Sequence, residues 1–311
     1  MQPAYDVCDT SRIYNSDYNF SLPKPMLEGW LSGKAFDNRS TYTPEEADKL
    51  RADINDLSQS ILAKNPVKEK LAIMTAGAPG SGKTTQLKKD RAVRAAEGKT
   101  IAYICPDDVC LKAQTRTYLA DIAAGDQSKE TRQAAYNKWR PGSNASAHLI
   151  LGNLIRDQYA FYFGTTSTGK DTWRFFEFLQ KQGYHIRLIH LSAPDAVRWG
   201  SIQERDKTFV QTTEEDVRTK GLLLPERIND TFLKYADEIE FYYRGGVHED
   251  AVHTATWLRK DNIQHLIIID PLSYGQIKSI HNAMVEKLKR PELAWEKTVE
   301  LNHFPADAKA P

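Results

Sequence analysis

The sequence is poor in cysteine, with Cys8, Cys105 and Cys110 as its three examples. Their odd number does not suit a disulfide framework, and none of them forms the C-x-x-C pair that many structural zinc sites use. We therefore expect neither disulfides nor a zinc site, and we expect a cytoplasmic protein in a reducing compartment.

Long apolar stretches are also missing. The chain nowhere contains about 18 consecutive apolar residues, the length that a membrane-spanning helix requires. The stretch MQPAYDVCDTSRIYNSDYNF has no positively charged start followed by an apolar run, which is the pattern of a secretory signal. We expect no membrane association and no classical export, although delivery to a host cell by a specialised secretion system is compatible with this sequence.

The chain has little net charge, because 42 Lys and Arg residues nearly balance 41 Asp and Glu residues and leave +1. Dedicated nucleic-acid-binding proteins concentrate positive charge on one face. We therefore expect no stable nucleic-acid partner. This charge balance argues against polynucleotide 5′-kinase activity. A strong salt dependence of DNA or RNA binding would restore that hypothesis.

Apolar residues are sufficient for a large core, since 41% of the 311 residues are hydrophobic. This length favours one main domain with appendages. We assign residues 44–290 to that domain, residues 1–43 to an irregular N-terminal arm that contains Pro23, Pro25 and Gly33, and residues 291–311 to a C-terminal tail.

Short apolar runs alternate with helix-like segments along the main domain. Strands are predicted at 71–75, 101–104, 159–163, 186–191 and 238–243, and 266–269 is a candidate for a sixth. Helices are predicted at 44–64, 83–97, 109–124, 129–138, 148–157, 172–182, 193–204, 214–220, 226–236 and 274–289. This alternation predicts an α/β fold with a parallel sheet that helices flank on both faces.

A glycine-rich segment between the first strand and its helix matches the phosphate-binding pattern G-x-x-x-x-G-K-[ST]. It consists of Gly77, Ala78, Pro79, Gly80, Ser81, Gly82, Lys83 and Thr84, and Thr85 follows it. In a P-loop of this kind, backbone N–H groups and the helix N-terminus face nucleotide phosphates, the lysine adds positive charge and the hydroxyl binds Mg²⁺. We expect ATP and Mg²⁺ as cofactors on a P-loop NTPase type of sheet. The alternative is a glycine-rich turn that only joins strand to helix.

Two carboxylates follow the second predicted strand, at Asp107 and Asp108. In a parallel sheet the carboxyl end of that strand meets the ligand-binding edge. A carboxylate there can accept a proton from an attacking hydroxyl and lie near Mg²⁺. We assign the base and a metal-binding role to Asp107, with Asp108 as a substrate contact. The alternative is that both residues only cap the following helix.

Arg205 lies near the end of the helix that follows the fourth strand. An arginine in this position can hold the charge that develops on a transferring phosphoryl group, with Lys207 or Arg198 as helpers. A solvated helix face beside Glu204 and Asp206 is the competing interpretation.

Trp139 and Arg140 place a planar ring beside a fork-shaped donor. This pair suits the base and phosphate of a nucleotide ligand, and we include both residues among the candidate substrate contacts. Packing alone explains Trp139 equally well.

Several segments in the same order resemble the zeta-toxin family of P-loop kinases. They are GAPGSGKTT at 77–85, ICPDD at 104–108, the block from GTTST to SIQERD at 164–206, and GLLLPERINDTF at 221–232. The resemblance covers roughly residues 71–243. It implies that Lys83 and Thr84 hold ATP and Mg²⁺, that Asp107 is the base, and that Arg205 is the first of two phosphate-binding arginines. Thr165, in the GTTST segment, is a candidate substrate contact.

The chain departs from the family pattern at two places. Phe163 stands where many members carry an acidic residue before Gly-Thr, and no arginine follows Arg205 where the second one is expected, which leaves Lys207 or Arg218 as substitutes. Known acceptors of the family include UDP-activated amino sugars, and one branch is similar to a plant-pathogen effector that phosphorylates NAD. The missing acidic residue argues against UDP-sugar chemistry, and the segment YNKWRPGSN at 136–144 together with the tyrosine-rich N-terminal arm favours the NAD branch.

The sequence thus predicts an ATP-dependent kinase for a hydroxyl of a nucleotide-like small molecule, with NAD or a related dinucleotide as the first candidate. A UDP-activated amino sugar kinase is the alternative acceptor class. A nucleotide-dependent binding module, controlled by an antitoxin or chaperone-like inhibitory protein, is the alternative of a different class.

Overall fold

The computed structural model describes residues 5–14, 22–33, 41–126, 128–207, 212, 214–260 and 263–301. The chain divides into two compact units. Unit 1 comprises Met1–Lys70, Asp90–Gly164 and Lys207–Gln211, and unit 2 comprises Leu71–Lys89, Thr165–Asp206 and Thr212–Pro311. Within the described ranges, no helix is both long and apolar enough to cross a bilayer.

The described residues form seven strands and twelve α-helices. The strands are β1 Leu71–Ala76, β2 Ala102–Ile104, β3 Phe161–Phe163, β4 His185–Ser192, β5 Glu238–Tyr243, β6 Val252–Lys260 and β7 Ile263–Ile268. The helices are α1 Lys24–Leu31, α2 Pro44–Leu62, α3 Lys83–Ala96, α4 Tyr118–Ala124, α5 Lys129–Arg156, α6 Thr172–Lys181, α7 Asp195–Asp206, α8 Glu214–Thr219, α9 Leu224–Arg227, α10 Leu233–Tyr235, α11 Pro271–Leu288 and α12 Trp295–Thr298.

In unit 2 the sheet begins with parallel strand pairs and ends with antiparallel ones. All six residues of β1 are buried, as expected of a strand covered on both faces. Strand β1 pairs in parallel with β4, and β4 pairs in parallel with β5. Strands β5, β6 and β7 then pair antiparallel. Helix α6 packs on β4, and α11 packs on β5 and β6.

The predicted α/β fold with a mostly parallel sheet is confirmed, and β6 and β7 add antiparallel pairs at one end. Strand β6 was missed, and the segment predicted at 266–269 is the second half of a hairpin with β6. The sequence VHTATWLRK of β6 mixes polar and apolar residues. It therefore lacks the continuous apolar run by which the buried parallel strands are recognised.

Unit 1 contains the parallel pair of β2 and β3 and a long buried helix, α5. Helices α1, α2 and α4 pack against α5. The sequence predicted two helices here, at 129–138 and 148–157, because proline ordinarily interrupts a helix. The structure instead shows one continuous helix with Pro141 inside it.

The side chain of Tyr42 explains how α5 passes Pro141. Its hydroxyl donates to the carbonyl oxygen of Lys138 at 2.8 Å and accepts the N–H of Gly142 at 3.1 Å. It therefore bridges these two backbone groups on either side of Pro141. The phenol ring also stacks on Trp139, with 4.7 Å between centroids.

The helix predicted at 109–124 is also corrected. Pro106–Leu111 forms a short π-helical segment, and α4 begins only at Tyr118. The Sγ atom of Cys105 accepts the N–H of Asp108 at 3.4 Å and caps the segment. The predicted start of α2 at Pro44 is confirmed. Thr43 is the N-cap residue, and it forms a reciprocal capping box with Glu46.

Candidate functional site

The P-loop joins the end of β1 to the start of α3, as the motif requires. Gly77, Gly80 and Gly82 have φ values of +142°, +80° and +99°, which L side chains rarely adopt. An added Cβ would lie 2.5 Å from the carbonyl oxygen of Leu191 at Gly77 and 2.4 Å from that of Arg198 at Gly80. The loop can therefore keep this shape only with glycine at these positions.

A second loop, Thr165–Thr168, lies against the end of β1. The hydroxyl of Thr75 donates to the carbonyl oxygen of Thr165 at 2.8 Å and accepts its N–H at 2.9 Å. The N–H of Gly77 donates to the carbonyl oxygen of Thr166 at 3.2 Å. The predicted substrate contact Thr165 therefore stands beside the first P-loop glycine, held there through its backbone.

Lys83 and Ser81 are the polar side chains at the interior of the P-loop. The Lys83 ammonium donates to the carbonyl oxygens of Gly77 and Ala78, both at 2.8 Å. The Ser81 hydroxyl is fully buried and, among the described residues, has no hydrogen-bond partner. A buried hydroxyl without a partner in a loop that also carries an ammonium group suits an anionic ligand.

The chemistry of the loop also fits Mg²⁺. Thr84, the second residue of α3, supplies a hydroxyl oxygen of the type that this cation accepts. Among the described residues, no group of three or more His, Cys, Asp or Glu side chains is arranged to hold a metal. Thr84 and nucleotide phosphates would hold the ion, and the metal-binding role assigned to Asp107 stays a prediction.

His190 lies on β4 opposite Ala76, the last residue before the P-loop. Its ring packs on Phe241, and neither ring nitrogen has a partner among the described residues. Burial, with smaller contributions from His281 and Lys83, lowers its pKa to about 3. The imidazole is therefore neutral at the end of β4 next to the P-loop strand.

Two buried arginines donate to backbone carbonyl oxygens of the P-loop. Arg198, on α7, donates to the carbonyl oxygen of Pro79 at 3.3 Å and to Asp195 at 2.7 Å. Arg244 directly follows β5 and donates to the carbonyl oxygen of Gly80 at 2.8 Å. Sequence reasoning named Arg198 only as a helper and missed Arg244, whose proximity depends on strand pairing rather than on a local motif.

Arg205 lies in the last turn of α7, and its guanidinium donates to Asp206 at 3.0 Å. It follows Arg198 by seven residues and Ser201 by four, so the three residues share one face of the helix. Lys207 follows α7 and is exposed, and residues 208–211 lie outside the described ranges. The phosphate-binding roles of Arg205 and Lys207 stay predictions.

The predicted base, Asp107, belongs to unit 1 and is paired with Arg140 of α5, with 2.7 Å between Oδ1 and Nε. Burial lowers the pKa of Arg140, but the charge of Asp107 and the neighbouring Tyr136 outweigh it and leave that pKa raised. Arg140 was predicted as a substrate contact. Its Nε faces Asp107 and its Nη1 donates to Asn144, and the role of Arg140 in binding substrate stays a prediction.

Two other predicted substrate contacts, Asp108 and Trp139, make contacts within the protein, and their binding roles stay predictions. Asp108 accepts hydrogen bonds from the Lys112 ammonium at 2.9 Å and from the Tyr103 hydroxyl at 3.2 Å. Trp139 is 1% exposed, and its indole N–H donates to Asp121 at 2.7 Å. This burial argues against stacking of Trp139 on a ligand, because its ring has no open face and its donor is used.

Comparison with protein families adds an independent observation. The sequence profile of the family described as Zeta toxin matches residues 56–239, more than half of the 311-residue chain. Comparison with curated protein sequences gave no match.

Solved structures with a similar fold include one from the PezAT chromosomal toxin–antitoxin system of Streptococcus pneumoniae. It is 14% identical with a TM-score of 0.50, over 80% of this chain and 99% of that one. The complex AvrRxo1-ORF1:-ORF2 with ATP is 14% identical with a TM-score of 0.52, over 91% of each chain. Identities this low establish a likeness of fold.

Proposed function

The chain belongs to the zeta toxin family, and we propose that it is an ATP-dependent phosphotransferase that acts on a hydroxyl of a nucleotide-like small molecule. The observation that carries this proposal is the P-loop itself. Its three positive-φ glycines, the ammonium group of Lys83 and the buried hydroxyl of Ser81 converge on one loop between β1 and α3.

ATP would lie with its β- and γ-phosphates on the P-loop backbone and the N-terminus of α3. Lys83, held on loop carbonyls, is close enough to exchange these contacts for phosphate oxygens. Thr84 would hold Mg²⁺, which neutralises phosphate charge when it is bound. Arg205 would carry charge on the transferring group, on the helix face that it shares with Arg198.

Asp107 would accept the proton of the acceptor hydroxyl. The acceptor oxygen then bonds to the γ-phosphorus while the bond to the β-phosphate oxygen breaks, and ADP leaves. Arg140 would keep the carboxylate in one orientation, since its Nε lies 2.7 Å from Oδ1 of Asp107. Arg140 is therefore a positioning residue in this proposal.

We take NAD or a related dinucleotide as the first candidate acceptor. Phe163 supports this choice, because it is 4% exposed and its ring packs edge-on against His148. The position where many relatives carry an acidic residue is thus part of the apolar core. An acceptor that depends on a carboxylate there, as we expect for UDP-activated amino sugars, is the second candidate.

A protein partner is the second element of the proposal. The PezAT structure comes from a toxin–antitoxin system, and AvrRxo1-ORF1 was solved as a complex with ORF2. By analogy, we propose that an antitoxin-like protein restrains this chain. A binding module without transfer activity is the competing function. We place the protein in the cytoplasm, or in a host cell after specialised secretion.

The test is transfer of label from γ-labelled ATP to NAD, to other dinucleotides and to UDP-activated amino sugars, with products identified by mass spectrometry. We expect a singly phosphorylated dinucleotide with wild type and none with Lys83→Met. Transfer to UDP-activated amino sugars alone would replace the acceptor. Tight ATP binding without transfer to any metabolite would favour the binding module.

A further inference from the structure

Arg244 is buried against the P-loop, with 8% of the residue exposed. One terminal nitrogen donates to the carbonyl oxygen of Gly80 at 2.8 Å and also contacts the hydroxyl of Ser201 on α7. The other terminal nitrogen lies 3.3 Å from the place that a Cβ on Gly82 would take. The guanidinium is therefore fixed beside two P-loop glycines.

The other buried arginines of unit 2 have carboxylate partners. Arg198 pairs with Asp195 at 2.7 Å, and Arg227 pairs with Asp230. No carboxylate of the described residues lies within ion-pair distance of Arg244, and its Nε has no hydrogen-bond partner there. Burial lowers the pKa of the Arg244 guanidinium.

A buried cation without a counter-ion is expensive, because desolvation is not offset by an opposite charge. The neutral carbonyl and hydroxyl groups satisfy some of its donors but supply no negative charge. The position of the guanidinium beside Gly80 and Gly82 indicates where the missing charge comes from, since the P-loop is the anion-binding element of this unit.

We propose that Arg244 binds the polyphosphate chain of the nucleotide directly. This inference rests on the proposed nucleotide site and adds a further cation to it, beside Lys83 and the α7 arginines. A guanidinium suits the role because its planar fork can donate to a phosphate oxygen while it keeps its bond to Gly80. The bond to Ser201 ties the same contact to the helix that carries Arg205.

Calorimetric titration of the full-length protein with ATP and with tripolyphosphate tests this assignment. We expect Arg244→Gln to weaken both ligands about 10- to 100-fold, the usual effect of losing hydrogen bonds to a charged group. The matched control is Arg174→Gln, which removes an exposed arginine paired with Asp171 at 3.6 Å. Its affinities are expected to equal those of wild type.

The outcomes separate this inference from the proposed function. Failure of wild type to bind ATP would remove the nucleotide site itself. Wild-type affinity for both ligands in Arg244→Gln would overturn the role of Arg244. Loss of ATP binding with tripolyphosphate binding intact would also overturn it, because the contact would then be to the nucleoside. If Arg244→Gln lowers the unfolding midpoint, the test moves to Arg244→Met, which fills the buried site without a charge. Wild-type affinity of that variant for tripolyphosphate overturns the assignment.

Discussion

The Nε atom of Arg140 lies 2.7 Å from Oδ1 of Asp107, and this ion pair fixes the carboxylate that we assign as the base. The arginine side chain is 13% exposed and that of Asp107 is 29% exposed. Asp107 therefore keeps an accessible side while its orientation is held from the buried side by α5.

Replacement of Arg140 by Gln should lower turnover while ATP affinity stays unchanged. The reason is that Asp107 loses its partner and samples orientations in which it does not face the acceptor. We expect a loss of about 10- to 100-fold in kcat, measured with saturating ATP and acceptor. Arg140→Lys should recover part of the loss, because it restores the charge without the fork geometry. Unchanged kcat in Arg140→Gln would contradict the positioning role.

Replacement of Gly80 by Ala should abolish ATP binding. The new Cβ would lie 2.4 Å from the carbonyl oxygen of Arg198, and the φ of +80° is itself unfavourable for alanine. The loop or α7 must then move. The control is Gly275→Ala on α11, where a Cβ meets nothing within 4 Å. Calorimetry that finds wild-type ATP affinity in Gly80→Ala would refute the loop geometry.

Replacement of Tyr42 by Phe should destabilise unit 1 without removing its aromatic stack on Trp139. The variant leaves the carbonyl of Lys138 and the N–H of Gly142 without the hydroxyl that now bridges them. Leaving buried polar groups unsatisfied costs about 1–3 kcal/mol each. Denaturant unfolding measures the change. A free energy of unfolding equal to that of wild type would show that α5 passes Pro141 by another arrangement.

The stability of the fold should decrease as the pH falls below about 6.5. His190 has a native pKa of about 3, below its ordinary value of 6.5. The unfolded chain therefore binds more protons between these two values, and the native state loses stability as the pH falls through that window. One such histidine accounts for about 2 kcal/mol between pH 7 and pH 5.

His190→Gln should make the free energy of unfolding less dependent on pH, whatever its effect at pH 7. Burial and the charge of Arg140 lower the pKa of His148 to about 3 as well. His148 therefore contributes a similar pH dependence, which the His190→Gln variant keeps. Urea unfolding at pH 7 and pH 5 measures the difference. An equal change in wild type and His190→Gln would mean that His190 does not carry this pH dependence.

Predictions from the sequence were reliable where the same few neighbouring residues determine both the chemistry and the local backbone conformation. The P-loop was predicted with both flanking elements, because glycine, lysine and threonine at fixed spacing serve one conformation. The capping box before α2 was equally local. By contrast, α5 was divided at Pro141, because the hydroxyl of Tyr42 that bridges the gap comes from a residue about 100 positions away.

The candidate site shows the same division. Lys83 and Thr84 were predicted from the motif, whereas Arg244 was missed because it reaches the P-loop only through the pairing of β1, β4 and β5. Trp139 was proposed as a ligand contact from its residue type. Its contacts with Tyr42 and Asp121, which make it a core residue, are tertiary and carry no signature near Trp139 in the sequence.

The most direct test of the account compares Asp107→Asn with its neighbour Asp108→Asn in transfer of labelled phosphate from ATP to NAD. We expect Asp107→Asn to bind ATP as wild type does but to lose about 100- to 10,000-fold in kcat, the usual range for a general base. Asp108→Asn should retain most of the turnover, since Asp108 is engaged by Lys112 and Tyr103. Near-normal transfer by Asp107→Asn would contradict the proposed chemistry.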